Sequence, residues 1–295
     1  MKPAAFEYRV PGTLQETLDL LVEHESDAKI LAGGQSLIPS MNFRVLQPAM
    51  LIDINRIDDL DTIQADDQGG VRIGAMARQA SLEHDALIAD RLPLLHETLP
   101  NIAHPQIRNR GTIGGSLVHA DPASELPAYA LARQARMRVS NASGERWIEA
   151  ADFFQGMFTT ALAPDEMLIE IELPALPAGA GWSFQEMARR RGDYALMGLA
   201  AVLVLDQAGI CQDVRLVYLN AGDGPMRAQE AEKMLIGEQP GPELFEAAAS
   251  SAAEHEIDPF GSVHATVEFQ RHLAQVLTRR ALKTAHERAQ NGRQG

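Results

Sequence analysis

The chain has 295 residues and a single cysteine, Cys211. One thiol cannot close an intramolecular disulfide. Nor can it supply the four thiolates of a typical iron–sulfur cluster or of a Cys-rich zinc site. Any such centre must sit on another chain. Basic residues are scarce: 26 Lys+Arg stand against 40 Asp+Glu, for a net charge of −14. A nucleic-acid binder needs a basic face against phosphate, and an anionic membrane surface would repel this composition. The longest apolar run, Ala195 to Leu205, has 11 residues and is too short to span a bilayer. Pro3, Glu7 and Arg9 leave no apolar signal segment near the N-terminus. A soluble, cytoplasmic protein is the expectation.

Several chemistry-bearing motifs are also missing. No G-x-G-x-x-G follows a strand, and there is no Walker A loop, no H-E-x-x-H and no G-x-S-x-G elbow. His104, His119, Asp121 and Glu125 share one region but lack a metal-ligand spacing. Hydrolase and zinc-enzyme readings therefore have no support.

The length suits two domains of roughly 150 residues, each able to bury its own core. Phe6–Val10 reads as a strand. Thr13 and Glu16 then stand at capping-box spacing before a helix with the stripe Leu14, Leu18, Leu21 and Val22. Lys29–Leu31 and Met50–Ile54 read as strands, giving an α/β unit over about residues 1–55. Val71–Ala75, Met137–Ser140, Trp147-Ile148 and Leu168–Leu173 follow as strands, with helices at Ser81–Ala89, Leu92–Leu99 and Pro127–Arg133. Pro174, Pro177, Gly179 and Gly181 mark a linker. Beyond it, strands at Trp182–Ala188, Leu199–Leu205 and Val214–Leu219 precede helices at Arg227–Leu235, Pro242–Ala253 and Val263–Leu282. Strands first and helices after indicate an α+β domain. Residues 288–295 read as a disordered polar tail.

Two glycine loops stand out. The first, Lys29-Ile30-Leu31-Ala32-Gly33-Gly34-Gln35-Ser36-Leu37, runs from a strand into a glycine pair and a hydroxyl. Glycine lets the backbone approach a ligand, and successive N–H groups can form an anion nest. The plain alternative is a tight turn with Ser36 as helix cap. The second, Gln106 to Ser116, repeats the chemistry as Thr112-Ile113-Gly114-Gly115-Ser116, 81 positions on from Gly33 to Gly114. Together the loops could converge on one diphosphate, each giving backbone N–H donors and needing no Lys or Arg cluster. Asp121 and Glu125, in Ala120-Asp121-Pro122-Ala123-Ser124-Glu125, can accept from ribose hydroxyls; alternatively Asp121 or Ser124 caps a helix. In Arg189-Arg190-Arg191-Gly192-Asp193-Tyr194-Ala195 the arginines form a solvated face or a docking patch. Tyr194 is a core aromatic, the commoner case, or covers a ligand ring.

These motifs, with Ile107-Arg108-Asn109, Asn220-Ala221-Gly222, Pro225 and Arg227-Ala228, resemble the FAD-binding medium subunits of the molybdenum hydroxylases, a family that includes the xanthine dehydrogenase flavin domain. The resemblance covers about residues 3–285. It implies an α+β architecture: a vanillyl-alcohol-oxidase (PCMH) type FAD domain over 1–177, in subdomains of about 1–55 and 56–177, then a smaller flavin-subunit domain over 182–287. It implies noncovalent FAD held by Lys29, Ala32, Gly33, Gly34, Gln35, Ser36, Leu37, Ile102, Thr112, Ile113, Gly114, Gly115, Ser116, Asp121, Glu125, Leu168 and Tyr194, with no catalytic acid or nucleophile. It further implies a molybdenum-cofactor large subunit and a small [2Fe–2S] subunit as partners, in a dimer of heterotrimers. Electrons would pass through FAD to an external acceptor.

Two rivals make different demands. A self-sufficient FAD oxidoreductase of the vanillyl-alcohol oxidase class needs a substrate pocket with acid/base residues in the second domain. A non-redox module needs only a diphosphate site. On the loop reading, a bulky residue at Gly33 or Gly114 abolishes FAD retention and leaves the fold largely intact.

Overall fold

The computed structural model describes residues 2–24 and 27–292. Three parallel strands, β1 (Glu7–Arg9), β2 (Ala28–Leu31) and β3 (Met50–Asp53), form a sheet in the order β1-β3-β2, with helices α1 (Leu14–His24) and α2 (Leu37–Asn42) in the connections. The cap of α1 is offset by one residue. Thr13 Oγ1 accepts from the Glu16 N–H, while the Glu16 carboxylate accepts from the Gly12 N–H. Leu18 and Leu21 face the core, whereas Val22 of the expected stripe is exposed.

A second, antiparallel sheet has the order β4-β5-β10-β6-β7, with β4 (Ile63–Ala65), β5 (Val71–Gly74), β6 (Arg136–Asn141), β7 (Gly144–Glu149) and β10 (Met167–Leu173). The hairpin β8 (Phe154–Gly156) and β9 (Thr159–Thr160) stands apart. Helices α3 (Gln79–His84), α4 (Ala86–Arg91), α5 (Pro93–Thr98), α6 (Pro105–Arg108), α7 (Ile113–His119), α8 (Glu125–Ala132) and α9 (Ala150–Phe153) fill the connections. The helix expected over Ser81–Ala89 breaks at Asp85. Its carboxylate accepts from the Leu87 and Ile88 N–H groups and starts α4 afresh.

The third sheet is antiparallel, β11 (Ala180–Ala188), β12 (Ala195–Leu205), β13 (Cys211–Leu219) and the short β14 (Met226–Arg227). β12 is the long apolar run, and it lies between β11 and β13 with both faces covered. On one face Ala200, Val202 and Val204 join the core of the second sheet; on the other Leu199, Ala201 and Leu203 meet the helices α10 (Gln229–Leu235), α11 (Pro242–Ser251) and α12 (Val267–Asn291). Among the described residues no helix is long and apolar enough to cross a membrane.

The segment expected to be a disordered tail is ordered through its described part. α12 runs to Asn291, and the Arg288 guanidinium donates to Glu97 Oε2 at 2.6 Å and to the Trp182 carbonyl at 2.8 Å. The other Glu97 oxygen accepts from the Phe184 N–H at 2.8 Å. One carboxylate thus ties α5 to β11 and α12. Residues 293–295 lie outside the described part. α12 also approaches β11 at backbone distance, since a Cβ on Gly181 would strike the Ala285 carbonyl. Gly181→Ala is therefore expected to cost about 1–3 kcal/mol by overpacking, read as a fall of several degrees in the thermal unfolding midpoint.

Candidate functional site

The first loop leaves β2 and turns at Gly34, whose φ of +73° suits glycine. Among the described residues, no intrachain acceptor meets the N–H groups of Gly33, Gly34, Gln35, Ser36 or Leu37. Ser36 sits at the N-cap position of α2 in helical conformation and its hydroxyl makes no capping bond. The plain helix-cap reading of Ser36 is therefore not realised. Five successive donors stay free beside a cleft of about 380 Å³, lined by Ala32 to Gln35 together with Ile38, Asp53, Asn55 and Arg110.

The two loops touch. A Cβ on Gly33 would collide with the Arg110 carbonyl and lie 2.8 Å from Gly111 Cα, and a Cβ on Gly115 would reach within 3.8 Å of Ala32. A side-chain clamp fixes this contact. The Asn55 amide donates to the Ala32 carbonyl at 2.9 Å, and its oxygen accepts from Arg78 at 2.5 Å. Arg78 in turn donates to the Arg110 carbonyl. Asn55 also bonds Asp53, which accepts from the Tyr8 hydroxyl. Burial pushes the Asp53 carboxyl up, but hydrogen bonds from Tyr8 and Asn55 and the Arg110 charge outweigh it and hold the pKa below its ordinary value. Burial, then the Arg110 charge, lowers Arg78. Arg110 forms no ion pair among the described residues, so its charge is available to the cleft.

The second loop works differently from the first. Thr112 caps α7 by accepting from the Gly115 N–H at 3.0 Å. The Ile113, Gly114 and Ser116 N–H groups go to Ala77, Ala75 and Thr112 carbonyls. The expectation that both loops offer amide donors alike is thus corrected: the second spends its amides on its own helix start and on the strand beside it. Gly114 is a packing glycine, for a Cβ there would lie 2.6 Å from Ala75. A bulky residue at Gly33 or Gly114 would therefore displace backbone, and the fold would not stay intact around it.

α7 spans about 10 Å by its seven residues and ends at Ala120, in left-handed conformation. Asp121 then accepts from the Ala123 N–H, so it is the capping-type group of this segment, whereas Ser124 makes no capping bond. Glu125 opens α8 and is buried; burial, with a contribution from Asp121, raises its carboxyl to about 7. Asn220 joins the domains here, its N–H donating to the Pro122 carbonyl and its amide to the Ala195 carbonyl at 2.7 Å. Tyr194 is 74% exposed, which rules out the core reading. It shares this neighbourhood, for partial loss of water around it and the charges of Asp121 and Glu125 raise its phenol. The turn bearing it rests at Gly192 on Ala103 and His104. Beneath, Arg108 pairs with Glu83 at 2.7 Å and donates to the Ile102 carbonyl at 2.9 Å. Ile102 and Leu168 are core residues, and Lys29 is exposed on β2 away from the cleft lining.

Residue types alone did not single out Asp53, Asn55 or Arg78. Arg110 stood inside a quoted motif, between Asn109 and Gly111. Asn55→Ala should leave the Ala32 carbonyl unpaired and take from the Arg78 guanidinium one of its two acceptors, at a cost of about 1–3 kcal/mol. A double-mutant cycle with Arg78→Ala in chemical denaturation should show the two effects to be strongly non-additive.

Comparison with known proteins matches residues 4–176 to "FAD binding domain in molybdopterin dehydrogenase" and residues 182–285 to "CO dehydrogenase flavoprotein C-terminal domain". The chain is 42% identical to the 6-hydroxypseudooxynicotine dehydrogenase complex subunit alpha of Paenarthrobacter nicotinovorans, over 98% of this chain and 97% of that one. It superposes with a TM-score of 0.94 on a chain of carbon monoxide dehydrogenase from Hydrogenophaga pseudoflava, at 38% identity, covering 98% and 99% of the two. On quinoline 2-oxidoreductase from Pseudomonas putida 86 the TM-score is 0.92 at 36% identity, over 98% and 99%. These matches span both halves of the chain and the whole of the fold, and they show that it belongs to the family of FAD-binding flavoprotein subunits of the molybdenum hydroxylases.

Proposed function

We propose that this chain is the FAD-carrying electron-transfer subunit of a molybdenum-containing dehydrogenase. The observation that carries the reading is the run of five N–H groups, Gly33 to Leu37, that meet no acceptor among the described residues, beside a cleft lined by Gly33, Gly34 and Gln35 and by Arg110, which forms no ion pair among those residues. Backbone donors and one guanidinium suit a diphosphate even in a chain of net charge −14. The Ala32–Leu37 loop holds the pyrophosphate through its amides. Thr112 to Ser116 shape the opposite wall, with Gly114 allowing α7 to approach β5. Asp121, Glu125, Ile102, Leu168 and Tyr194 belong to the ring end, and Lys29 stands at the periphery. Bound noncovalently, FAD supplies the exchange of electrons in ones and twos; the protein's part is to hold it, orient it and exclude water.

Cys211 supports a role within a complex. It is the single thiol of the chain and is buried, so the chain has no set of thiolates to hold a cluster. The [2Fe–2S] clusters then belong to a small partner subunit and the molybdenum cofactor to a large one, in a dimer of heterotrimers in the cytoplasm. Electrons leave through FAD to an external acceptor. Both faces of the third sheet are packed, which favours this reading over a self-sufficient oxidase with its own substrate pocket.

The test is reconstitution of the full chain with FAD, followed by absorbance and equilibrium titration. One FAD per chain, released intact on denaturation, is expected. Arg110→Ala should weaken binding about 10- to 100-fold, the worth of one charge-assisted contact. Tight ADP binding without FAD retention would overturn the flavin reading, and undiminished affinity in Arg110→Ala would remove Arg110 from the site.

A further inference from the structure

The cleft that suits an anion also holds a carboxylate. Asp53 ends β3 and lines the same cleft of about 380 Å³ as Gly33, Gly34, Gln35 and Arg110. Its Oδ2 accepts from the Tyr8 hydroxyl. Its Oδ1 accepts from the Asn55 N–H at 2.9 Å and from the Asn55 side-chain amide at 2.5 Å. The same amide nitrogen donates to the Ala32 carbonyl at 2.9 Å. One NH2 group therefore links the carboxylate to the backbone of the first loop. All these donors are neutral, and among the described residues Asp53 forms no ion pair. The charged and titratable groups around it are Tyr8 on β1, Arg78 at the start of α3 and Arg110 on the second loop. Arg56 acts on Tyr8, and Asp61 acts on Arg78. Burial works against the Asp53 charge, but the hydrogen bonds from Tyr8 and Asn55 outweigh it, so the group is ionised at neutral pH.

A fixed negative charge in an anion cleft opposes every anion, and most of all the one with the highest charge. A phosphate esterified on both sides carries one negative charge. A terminal phosphate takes a second charge above a pKa of about 6. The amide donors of the first loop and the Arg110 guanidinium, acting alone, favour the more highly charged group. Asp53 acts in the opposite sense. A cleft of this volume leaves a bound phosphate on the order of 10 Å or less from the carboxylate, where one extra like charge at an effective dielectric of about 20 weakens binding about tenfold.

We propose that Asp53 is a specificity-determining residue of the cleft, selecting a diphosphate esterified at both ends over a nucleotide that ends in a free phosphate. The inference rests on the FAD reading of the preceding section and deepens it, because FAD is a diphosphate of the first kind. Asp53 offsets the charge of Arg110, so a second charge on one phosphate gains no affinity.

The experiment is calorimetric titration of the full chain, freed of FAD, with ADP and with ADP-ribose. The two share adenosine diphosphate and differ in whether its outer phosphate is esterified. Wild-type protein and Asp53→Asn are compared at pH 5 and pH 8. At the lower pH the outer phosphate of ADP carries one charge, as it does in ADP-ribose; at the higher pH it carries two. In the wild-type chain the affinity for ADP relative to ADP-ribose should not rise between the two pH values. In Asp53→Asn it should rise about tenfold. An equal pH response in the two proteins would overturn the proposal. So would a wild-type chain whose relative affinity for ADP climbs about tenfold with pH. That second result needs no variant, and it decides the matter if Asp53→Asn does not fold. FAD retention is measured by absorbance on the same wild-type protein. Bound FAD with an equal pH response in both proteins removes Asp53 from this role and leaves the flavin reading standing. The expected pH responses without FAD retention keep Asp53 in its role and defeat the flavin reading. A wild-type chain that binds none of the three ligands defeats both.

Discussion

The close approach of two backbones at Gly33 is the constraint on which the site depends. With a Cβ at that position, the first loop could not lie against the carbonyl of Arg110 and the Cα of Gly111. Because it does, one cleft is bounded by segments some 80 positions apart in the chain. The contact is held by polar side chains and not by apolar packing. Asn55 grips the first loop, Arg78 grips the second, and the two side chains bond each other. Part-buried bonds of this kind lose stability when left half-made, so the geometry of the cleft and the fold of the first domain are coupled.

That coupling divides the labour between the loops. Among the described residues the backbone N–H groups of the first loop, Gly33 to Leu37, meet no acceptor, so they are donors in waiting. The second spends its amides on capping α7 and on joining β5, and so becomes a rigid wall. A site with one giving loop and one bracing loop can hold an anion without a lysine cluster, which fits the acidic composition. The cleft nevertheless holds Arg110, which forms no ion pair among the described residues, at the position where the two loops meet.

The domain boundary is less sharp than composition suggested. Pro174 to Gly181 reads as a linker, yet the core of the second sheet continues into Phe184, Ala200, Val202, Val204 and Leu219 of the third. Glu97 then receives hydrogen bonds from both Phe184 and Arg288. The second domain is thereby fixed against the first. Tyr194, exposed on its turn, is carried to the seam between them because Gly192 leaves room for His104.

The sequence by itself determined the local elements and the family. Period-two and helical patterns located the main strands and helices, since those depend on neighbours along the chain. Gly-Gly-hydroxyl loops marked the turns that meet at Gly33, because few residues other than glycine tolerate such a close approach. What it could not show was how the loops are used. Thr112 and Ser36 look alike in sequence, yet only Thr112 caps a helix, and that difference follows from which strand each loop lies beside. Asn55 and Arg78 carry no local signal, for their role arises only once β3 and the start of α3 flank the same gap. The end of α12 read as a polar tail because Arg288 is charged; its partners, Glu97 and Trp182, lie more than 100 positions away. The tertiary structure alone decided these assignments, because burial and hydrogen-bond partnership are set by distance in space and not along the chain.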